Sequence, residues 1–273
     1  MSGCVERAGH SQHLSVPLDH PLMTNRCAAT SVHFAASLIV FLVLVGILLY
    51  SWYPSPYFSA SGGWQGLRLV AAVDLVLGPL MTFILVKKEK SLRELVLDIG
   101  LVVLVQLSAL GWGVKAVYEQ RPVAVVFLDS SFYTVPALAI TSQGLDLELL
   151  DVFGEHKPVL VYAARPEGGE EYDRFARAVN EDRIPPHEQP WLYRPLSDNF
   201  SSVVRSTLDI EEIMAANADM KRELERLLER TGSAVEDNYY LALTSRYRNS
   251  VLVFHNSGHL LGSVSAPYKT GDL

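Results

Sequence analysis

Leu67 to Lys90 reads LRLVAAVDLVLGPLMTFILVKKEK, an apolar run that stops abruptly at a cluster of lysines. The run is long enough to cross a bilayer, which takes about 20 mostly apolar residues. It differs from a plain membrane anchor, because Asp74 lies well inside it and Gly78 and Pro79 interrupt it near its middle. An acid and a helix breaker are tolerated at membrane depth only where other protein or water satisfies them. The stretch therefore predicts a membrane helix that depends on its neighbours.

Two further apolar runs accompany this one, and the three together predict a transmembrane unit over residues 28–118. The predicted helices lie at about 28–50, 67–86 and 95–114. The turns between them are short, so the three helices are expected to be antiparallel neighbours. Arg26 precedes the first helix and lysines follow the second, and basic residues favour the cytoplasmic side. The N-terminus is therefore predicted to be cytoplasmic, and the chain after the third helix extracytoplasmic.

The first 27 residues predict a flexible cytoplasmic N-terminus, because they are mostly polar and show no periodicity. Met23 is an attractive alternative start. The apolar run that follows is longer than the ~7–15 residues of a signal peptide's apolar region, which favours an uncleaved anchor over a cleaved signal.

Depth along the helices predicts a polar patch inside the membrane. With a rise of ~1.5 Å per residue, Asp74 lies roughly 18 Å from the inner end of its helix and Gln106 roughly 21 Å. The two could therefore face each other. Pro79 cannot donate to the carbonyl of Leu75, which leaves an acceptor free beside Asp74.

This patch has two interpretations that the residues alone leave open. It forms either an internal clasp between the second and third helices or a contact for a partner. A transport path is less favoured, because three helices with one buried acid rarely enclose a pore. Asp98 is expected nearer the cytoplasmic end, at a level that His33 of the first helix could reach.

An aromatic loop joins the first two helices and reads YPSPYF over residues 53–58. Its two prolines oppose helix, and its aromatic residues favour the membrane interface. The loop is either an aromatic belt with a turn or a docking surface for another membrane helix. The residues concerned are Tyr53, Pro54, Pro56, Tyr57 and Phe58.

Charge marks the start of a second domain over residues 119–273. The chain carries a net charge of −7, yet the part before Tyr118 is slightly basic and the remainder clearly acidic. Strand and helix patterns alternate in this acidic part, which predicts a soluble, extracytoplasmic α+β domain. Without a basic footprint, nucleic acid is not expected as a partner.

The pattern of the acidic part predicts its elements in order. Strands are expected at 123–128, 132–135 and 158–163, helices at 168–180 and from 207 to about 230, and a closing antiparallel meander at 241–243, 250–254 and 260–264. Residues 145–153 are ambiguous between strand and helix.

No catalytic motif is found in the sequence. A Gly-rich phosphate loop, a His-Glu-x-x-His zinc motif and a nucleophile elbow are all missing. His255 and His259 lie four residues apart in an expected turn, so they do not predict a zinc pair. The sequence therefore predicts neither an enzyme nor a cofactor or metal site.

The aromatic loop with Gly62 and Gly63, followed by the Asp-Leu-Val-Leu-Gly-Pro motif at 74–79, resembles the TfpX/TfpZ family of type IV pilin accessory proteins, which includes FimB-like relatives. The resemblance is strongest from Ala28 to Val126 and looser from Asp129 onward. It implies a multi-pass inner-membrane protein of a piliated Gram-negative bacterium, with a periplasmic C-terminal domain. The implied role is to assist assembly, stability or surface display of a cognate pilin. The family supplies no catalytic residues to carry over.

Two functional hypotheses follow. In the first, the membrane unit holds the apolar helix of a pilin, the major subunit. In the second, the protein is a membrane-anchored sensor or assembly factor that acts on the inner-membrane pilus machinery. A transporter subunit is a weaker third. The residues predicted to contact a partner, all at or within the lipid bilayer, are Asp74, Gly78, Pro79, Gln106, Tyr53, Pro54, Pro56, Tyr57 and Phe58.

Overall fold

The structure, a computed structural model, describes residues 26–54, 57–60, 63–87, 90–245 and 249–265. The predicted tail before Arg26, the alternative start at Met23 and the loop residue Pro56 lie outside the described residues. The predicted order of parts is found: three apolar helices come first, and a domain containing a mixed sheet follows.

Three helical stretches among the described residues are long and apolar enough to cross a membrane, at 26–52, 63–85 and 93–119. Their elements are α1 (Arg26–Ile47) with a π-helical end (Leu48–Trp52), the short α2 (Tyr57–Ala60), α3 (Gly63–Ala71), a π-helical turn (Ala72–Leu77), α4 (Gly78–Leu85) and α5 (Leu92–Glu119). These elements are called the helical unit below.

Gly78 and Pro79 do not interrupt the second membrane helix. The helix widens into a π-helical turn, in which the N–H of Gly78 donates to the carbonyl of Val73, and α4 then begins with Pro79 in its first turn. Proline is tolerated there, because the first turn of a helix does not use that N–H. The expected break is therefore a local change of helix type.

Helix α5 is longer than the predicted third span. It starts at a capping box in which the Ser91 hydroxyl accepts from the N–H of Glu94 and the Glu94 carboxylate accepts from the N–H of Ser91. Its 28 residues extend over roughly 42 Å, against about 30 Å for the hydrocarbon core. Helix α5 is therefore longer than a bilayer crossing requires, and its last turn leads directly into the first strand of the sheet domain at Pro122.

Seven strands of the described residues form one mixed sheet in the order β4-β3-β1-β2-β5-β6-β7. The strands are β1 (Pro122–Leu128), β2 (Ser131–Pro136), β3 (Val159–Ala163), β4 (Tyr193–Pro195), β5 (Asn238–Thr244), β6 (Ser250–His255) and β7 (Leu260–Ser265). Strand β1 runs parallel to β3, and β2 parallel to β5, while the other pairs are antiparallel. The meander expected at the end of the chain is β5-β6-β7.

Helices cover both faces of this sheet. They are α6 (Ala137–Thr141), α7 (Gly169–Asn180), α8 (Leu196–Val203), α9 (Ile210–Ala216) and α10 (Ala218–Thr231). Alternate residues of a strand point to opposite faces. On one face, the core around Val126 and Val161 packs against α6 and a 3₁₀ segment at 147–153, and the core around Val251 packs against α9 and α10. On the other, Phe127, Phe132 and Leu252 pack against α8.

The long helix expected from residue 207 to about 230 is two helices. Asn217 has an extended backbone, with φ −140°, and its side-chain oxygen accepts from the N–H groups of Asp219 and Met220. An Asn in this position ends one helix and caps the next. Asp209 caps α9 in the same way, by accepting from the N–H groups of Glu211 and Glu212.

His187 is a partly buried titratable group in the sheet domain. Its ring stacks on Tyr133 with 4.7 Å between ring centroids, and its Nε2 lies 3.9 Å from Oε1 of Glu188. Burial lowers the pKa of His187 to about 4, against 6.5 in an unfolded chain. Burial also raises the pKa of the Glu188 carboxyl group.

Acidification is expected to weaken the sheet domain through His187. Between pH 6.5 and about 4 the unfolded chain binds a proton at this residue that the folded chain does not, so stability falls as pH falls. The raised pKa of Glu188 has the opposite effect on stability, near and above the ordinary pKa of a glutamate. The contribution of His187 is therefore best isolated between pH 7 and 5.5. Over that range the free energy of unfolding should fall by about 1 kcal/mol through His187.

Urea denaturation of the full-length protein in detergent, followed by protease susceptibility of the sheet domain, measures this slope. His187→Gln should flatten it, whereas His156→Gln, at an exposed histidine, should leave it unchanged. An equal slope in the wild type and His187→Gln would contradict the assignment.

Candidate functional site

Asp74 and Gln106 meet inside the helical unit, as the depth count predicts. Asp74 lies in the π-helical turn and is only 7% exposed, and its carboxyl group is hydrogen-bonded to the side-chain amide of Gln106 on α5. An acid buried at membrane depth is costly without a partner. The pair therefore forms a polar clasp between the second and third membrane helices.

Gly78 makes this clasp possible. A Cβ atom built on Gly78 would overlap the side-chain amide of Gln106, so the amide lies directly against the helix backbone. Gly78 and Pro79 are both buried. The structure thus brings together the four residues predicted inside the membrane, while their role as partner contacts stays a prediction.

Other polar groups accompany the clasp. Nδ1 of His33 on α1 lies 2.6 Å from the hydroxyl of Thr82 on α4, which ties the first helix to the second. Asp98 instead forms an ion pair with Lys90 at the start of α5. Asp98 and His33 therefore have different partners, and the contact expected between them is replaced by the pairs Asp98–Lys90 and His33–Thr82. Oε1 of Gln106 is buried and has no hydrogen-bond partner within the described residues.

The aromatic segment, residues 53–58, closes the opposite end of the helical unit. The hydroxyl of Tyr53 donates to the carbonyl of Val117 on α5 at 2.8 Å. The Phe58 ring makes edge contacts with Tyr53 and Trp64, at centroid distances of 6.2 and 5.4 Å. Pro54 accepts a backbone hydrogen bond from Tyr57, which starts the short helix α2 despite the prolines. These contacts differ from those of a lipid-facing belt, because the rings turn inward.

Tyr57 packs in a different core from Tyr53 and Phe58. Its side chain is 4% exposed and packs among Val125, Phe127 and Phe132 on one face of the sheet. Tyr53 and Phe58 instead belong to the apolar cluster of the membrane helices. The aromatic segment therefore joins the two parts of the molecule, which no local pattern of the sequence indicated.

Beneath this segment lies an apolar cavity of about 220 Å³. It is lined by Leu44, Leu48, Tyr53, Phe58, Gly63, Gly66, Leu67, Val70, Leu110, Gly113, Val114, Ala116, Val117 and Gln120. A Cβ atom at Gly66 or Gly113 would meet nothing within 4 Å, so these two glycines leave open space. In a membrane, small residues of this kind let another helix approach closely. No pattern of the sequence indicated this cavity, although its glycines are present there.

The lining of the cavity offers mainly apolar packing contacts. All but one of its lining residues are apolar, aromatic or glycine, and Gln120 supplies a side-chain amide. Among the residues that the structure describes, no group of three or more His, Cys, Asp or Glu side chains is placed to hold a metal ion. The cavity therefore suits an apolar group.

Curated proteins with related sequences come from Dichelobacter nodosus. The fimbrial assembly protein of serogroups C1 and C2 is 42% identical over 102 residues, which cover 37% of this chain and 78% of that protein. The chain belongs to this family of fimbrial assembly proteins.

Two other members share a longer stretch with this chain. The fimbrial assembly proteins of serogroups E1 and I are each 28% identical over 222 residues, which cover 79% of this chain and 85% of each relative. No protein-family model matches the chain, and no solved structure matches it. These longer similarities cover about four-fifths of this chain.

Gly78→Ala should weaken the helical unit. The added methyl group displaces the amide of Gln106 and leaves the buried Asp74 without its partner, which costs about 1–3 kcal/mol. Alanine offsets at most about 1 kcal/mol of this through its better helix propensity. Thermal unfolding of the full-length protein in detergent should therefore show a lower midpoint.

Gly100→Ala is the matched control, because a Cβ atom at Gly100 meets nothing within 4 Å. In a Gln106→Ala background, Gly78→Ala should no longer lower the midpoint, since the displaced group is gone. A loss that persists in that background would contradict the role given to Gly78.

Proposed function

We propose that this protein is a membrane accessory of fimbrial assembly, of the TfpX/TfpZ type, whose helical unit holds the apolar helix of a pilin subunit. The observation that carries the proposal is an apolar cavity open between membrane helices in a member of a fimbrial assembly family. The relatives are named for fimbrial assembly, and a subunit with an apolar helix must reside in the membrane before assembly.

The charges support one orientation of the helical unit. Arg26, Lys87 and Lys90 lie at the end of the helices opposite to the sheet domain. Basic residues favour the cytoplasmic side of a membrane. The proposed location is therefore the bacterial inner membrane, with the N-terminus cytoplasmic and the sheet domain periplasmic.

The cavity is a better contact for the pilin than the clasp. Asp74 is buried and already paired, so it acts in this proposal by fixing α3 and α4 against α5. The cavity has room for a partner, since an apolar protein cavity of about 150 Å³ is enough to bind benzene. A space of about 220 Å³ therefore accommodates one large aliphatic or aromatic side chain of a docking helix.

Filling the cavity should reduce fimbriation. Gly113→Leu places a side chain in open space that lines the cavity, whereas Gly111→Leu adds the same side chain at another open position of α5 outside the lining. Excluding one buried side chain of a partner forfeits about 1.5–3 kcal/mol. Surface fimbriae should therefore fall about tenfold or more with Gly113→Leu and stay normal with Gly111→Leu.

The measurement uses cells that carry each variant in place of the wild-type gene, with surface fimbriae quantified after shearing and the variant protein quantified in membranes. Photo-crosslinking provides a direct readout: a crosslinker at the cavity residue Leu110 should capture the pilin, and one at the exposed Leu107 should not. Normal fimbriation by a stable Gly113→Leu protein would refute the pilin site.

Asp74→Asn separates the clasp from a direct contact. Asparagine keeps a hydrogen-bonding group toward Gln106, so the clasp should survive and fimbriation should stay near the wild-type level. If fimbriation falls while the protein level is unchanged, the acid itself acts on the pilin. Piliation counts and membrane immunoblots distinguish these outcomes.

The alternative is that the protein acts on the pilus machinery, and the size of the sheet domain, which builds its own cores, is compatible with that role. Exchange of the pilin gene for a foreign one discriminates the two. A factor that recognises its pilin should fail with the foreign subunit, and a factor that acts on the machinery should support it.

A further inference from the structure

Adjacent side chains of the aromatic segment are held by different parts of the molecule. Tyr57 is buried against the sheet face formed by residues such as Val125 and Phe132, and Phe58 is buried against the membrane helices. Each side chain is at most 5% exposed. Neither ring can therefore move far without opening a packed core.

Two further described residues of the aromatic segment, Tyr53 and Pro54, are also held in place. Pro54 has a restricted φ angle, and its carbonyl accepts from the N–H of Tyr57 at 3.0 Å. Tyr53 is fixed to the end of α5 by its hydrogen bond to the carbonyl of Val117. Because Tyr57 and Phe58 share a planar peptide unit, a restraint on one of them acts directly on the other.

Part of the aromatic segment forms a wall of the cavity. Tyr53 and Phe58 are part of its wall, and Tyr57 is not. Gly63 keeps its backbone directly against the Phe58 ring, since a Cβ atom there would overlap that ring. A group that fills the cavity therefore contacts a ring that has no room to move toward α3.

We propose that the aromatic segment couples occupancy of the membrane cavity to the sheet domain. A side chain that fills the cavity packs against Phe58 and restricts its motion, and Tyr57 carries this restraint to the sheet face formed by β1, β2, β5 and β6. The inference rests on the proposed function and deepens it, because docking of a pilin helix in the membrane then alters the sheet domain.

Hydrogen exchange of the full-length protein in nanodiscs tests the coupling without a partner. Gly113→Leu serves as the filled cavity and Gly111→Leu as its control. Exchange rates of amides in β1, β2 and β5 should change by about twofold or more in Gly113→Leu, the low end of coupling between contacting residues. They should match the wild type in Gly111→Leu.

The role of the two aromatic side chains in this coupling is tested by truncating each of them. In a Tyr57→Leu background, Gly113→Leu should no longer alter exchange in these strands. Phe58→Leu gives a second route to the same loss of response, and it stays available if Tyr57→Leu fails to fold. A response that persists in the folded backgrounds would overturn the route through the aromatic segment.

The two proposals fail in different ways. If Gly113→Leu abolishes fimbriation but leaves exchange in the sheet at the wild-type rate, the coupling is refuted and the pilin site stands. If Gly113→Leu alters exchange but fimbriation is normal, the coupling stands and the pilin site is refuted.

Discussion

The hydrogen bond between Asp74 and Gln106 is the constraint on which the helical unit depends. A carboxyl group at membrane depth must find a polar partner within the protein, because the surrounding hydrocarbon supplies none. That requirement fixes which side of α5 faces the second helix, and it demands a glycine at position 78, where the amide of Gln106 lies against the backbone. The π-helical turn then lets the chain reach Pro79 without a break.

The polar contacts between these helices leave a gap at the end of the helical unit nearest the sheet domain. The clasp and the bond between His33 and Thr82 hold the three helices near their middle and toward the opposite end. At the end nearest the sheet domain, Gly66 and Gly113 supply no side chains to fill the gap, and rings of the aromatic segment line it. A cavity at this place follows from tight packing at one level and glycine at another. Filling the gap would have required only larger residues at those two positions.

The features that could be predicted from the sequence are those that depend on local composition or on the number of residues along a helix. Hydropathy located the three membrane helices, and the rise per residue placed Asp74 opposite Gln106. The alternating pattern located the strands of the final meander. The helix boundary at Asn217 was missed although a cap residue was visible there, because the apolar period continues across it. The cavity could not be derived in this way, since its walls come from three helices whose spacing depends on tertiary packing.

The aromatic segment shows most clearly why local patterns fall short. Aromatic residues beside a membrane helix are typical of an interfacial belt, in which neighbouring rings share one environment. Tyr57 and Phe58 are instead buried in separate cores, one in the sheet and one in the helices. Two adjacent residues can serve two cores only if both cores meet at that point of the chain. The segment is therefore a joint between membrane and periplasmic parts in the proposed orientation, and its prolines and aromatic rings are what a short, rigid joint requires.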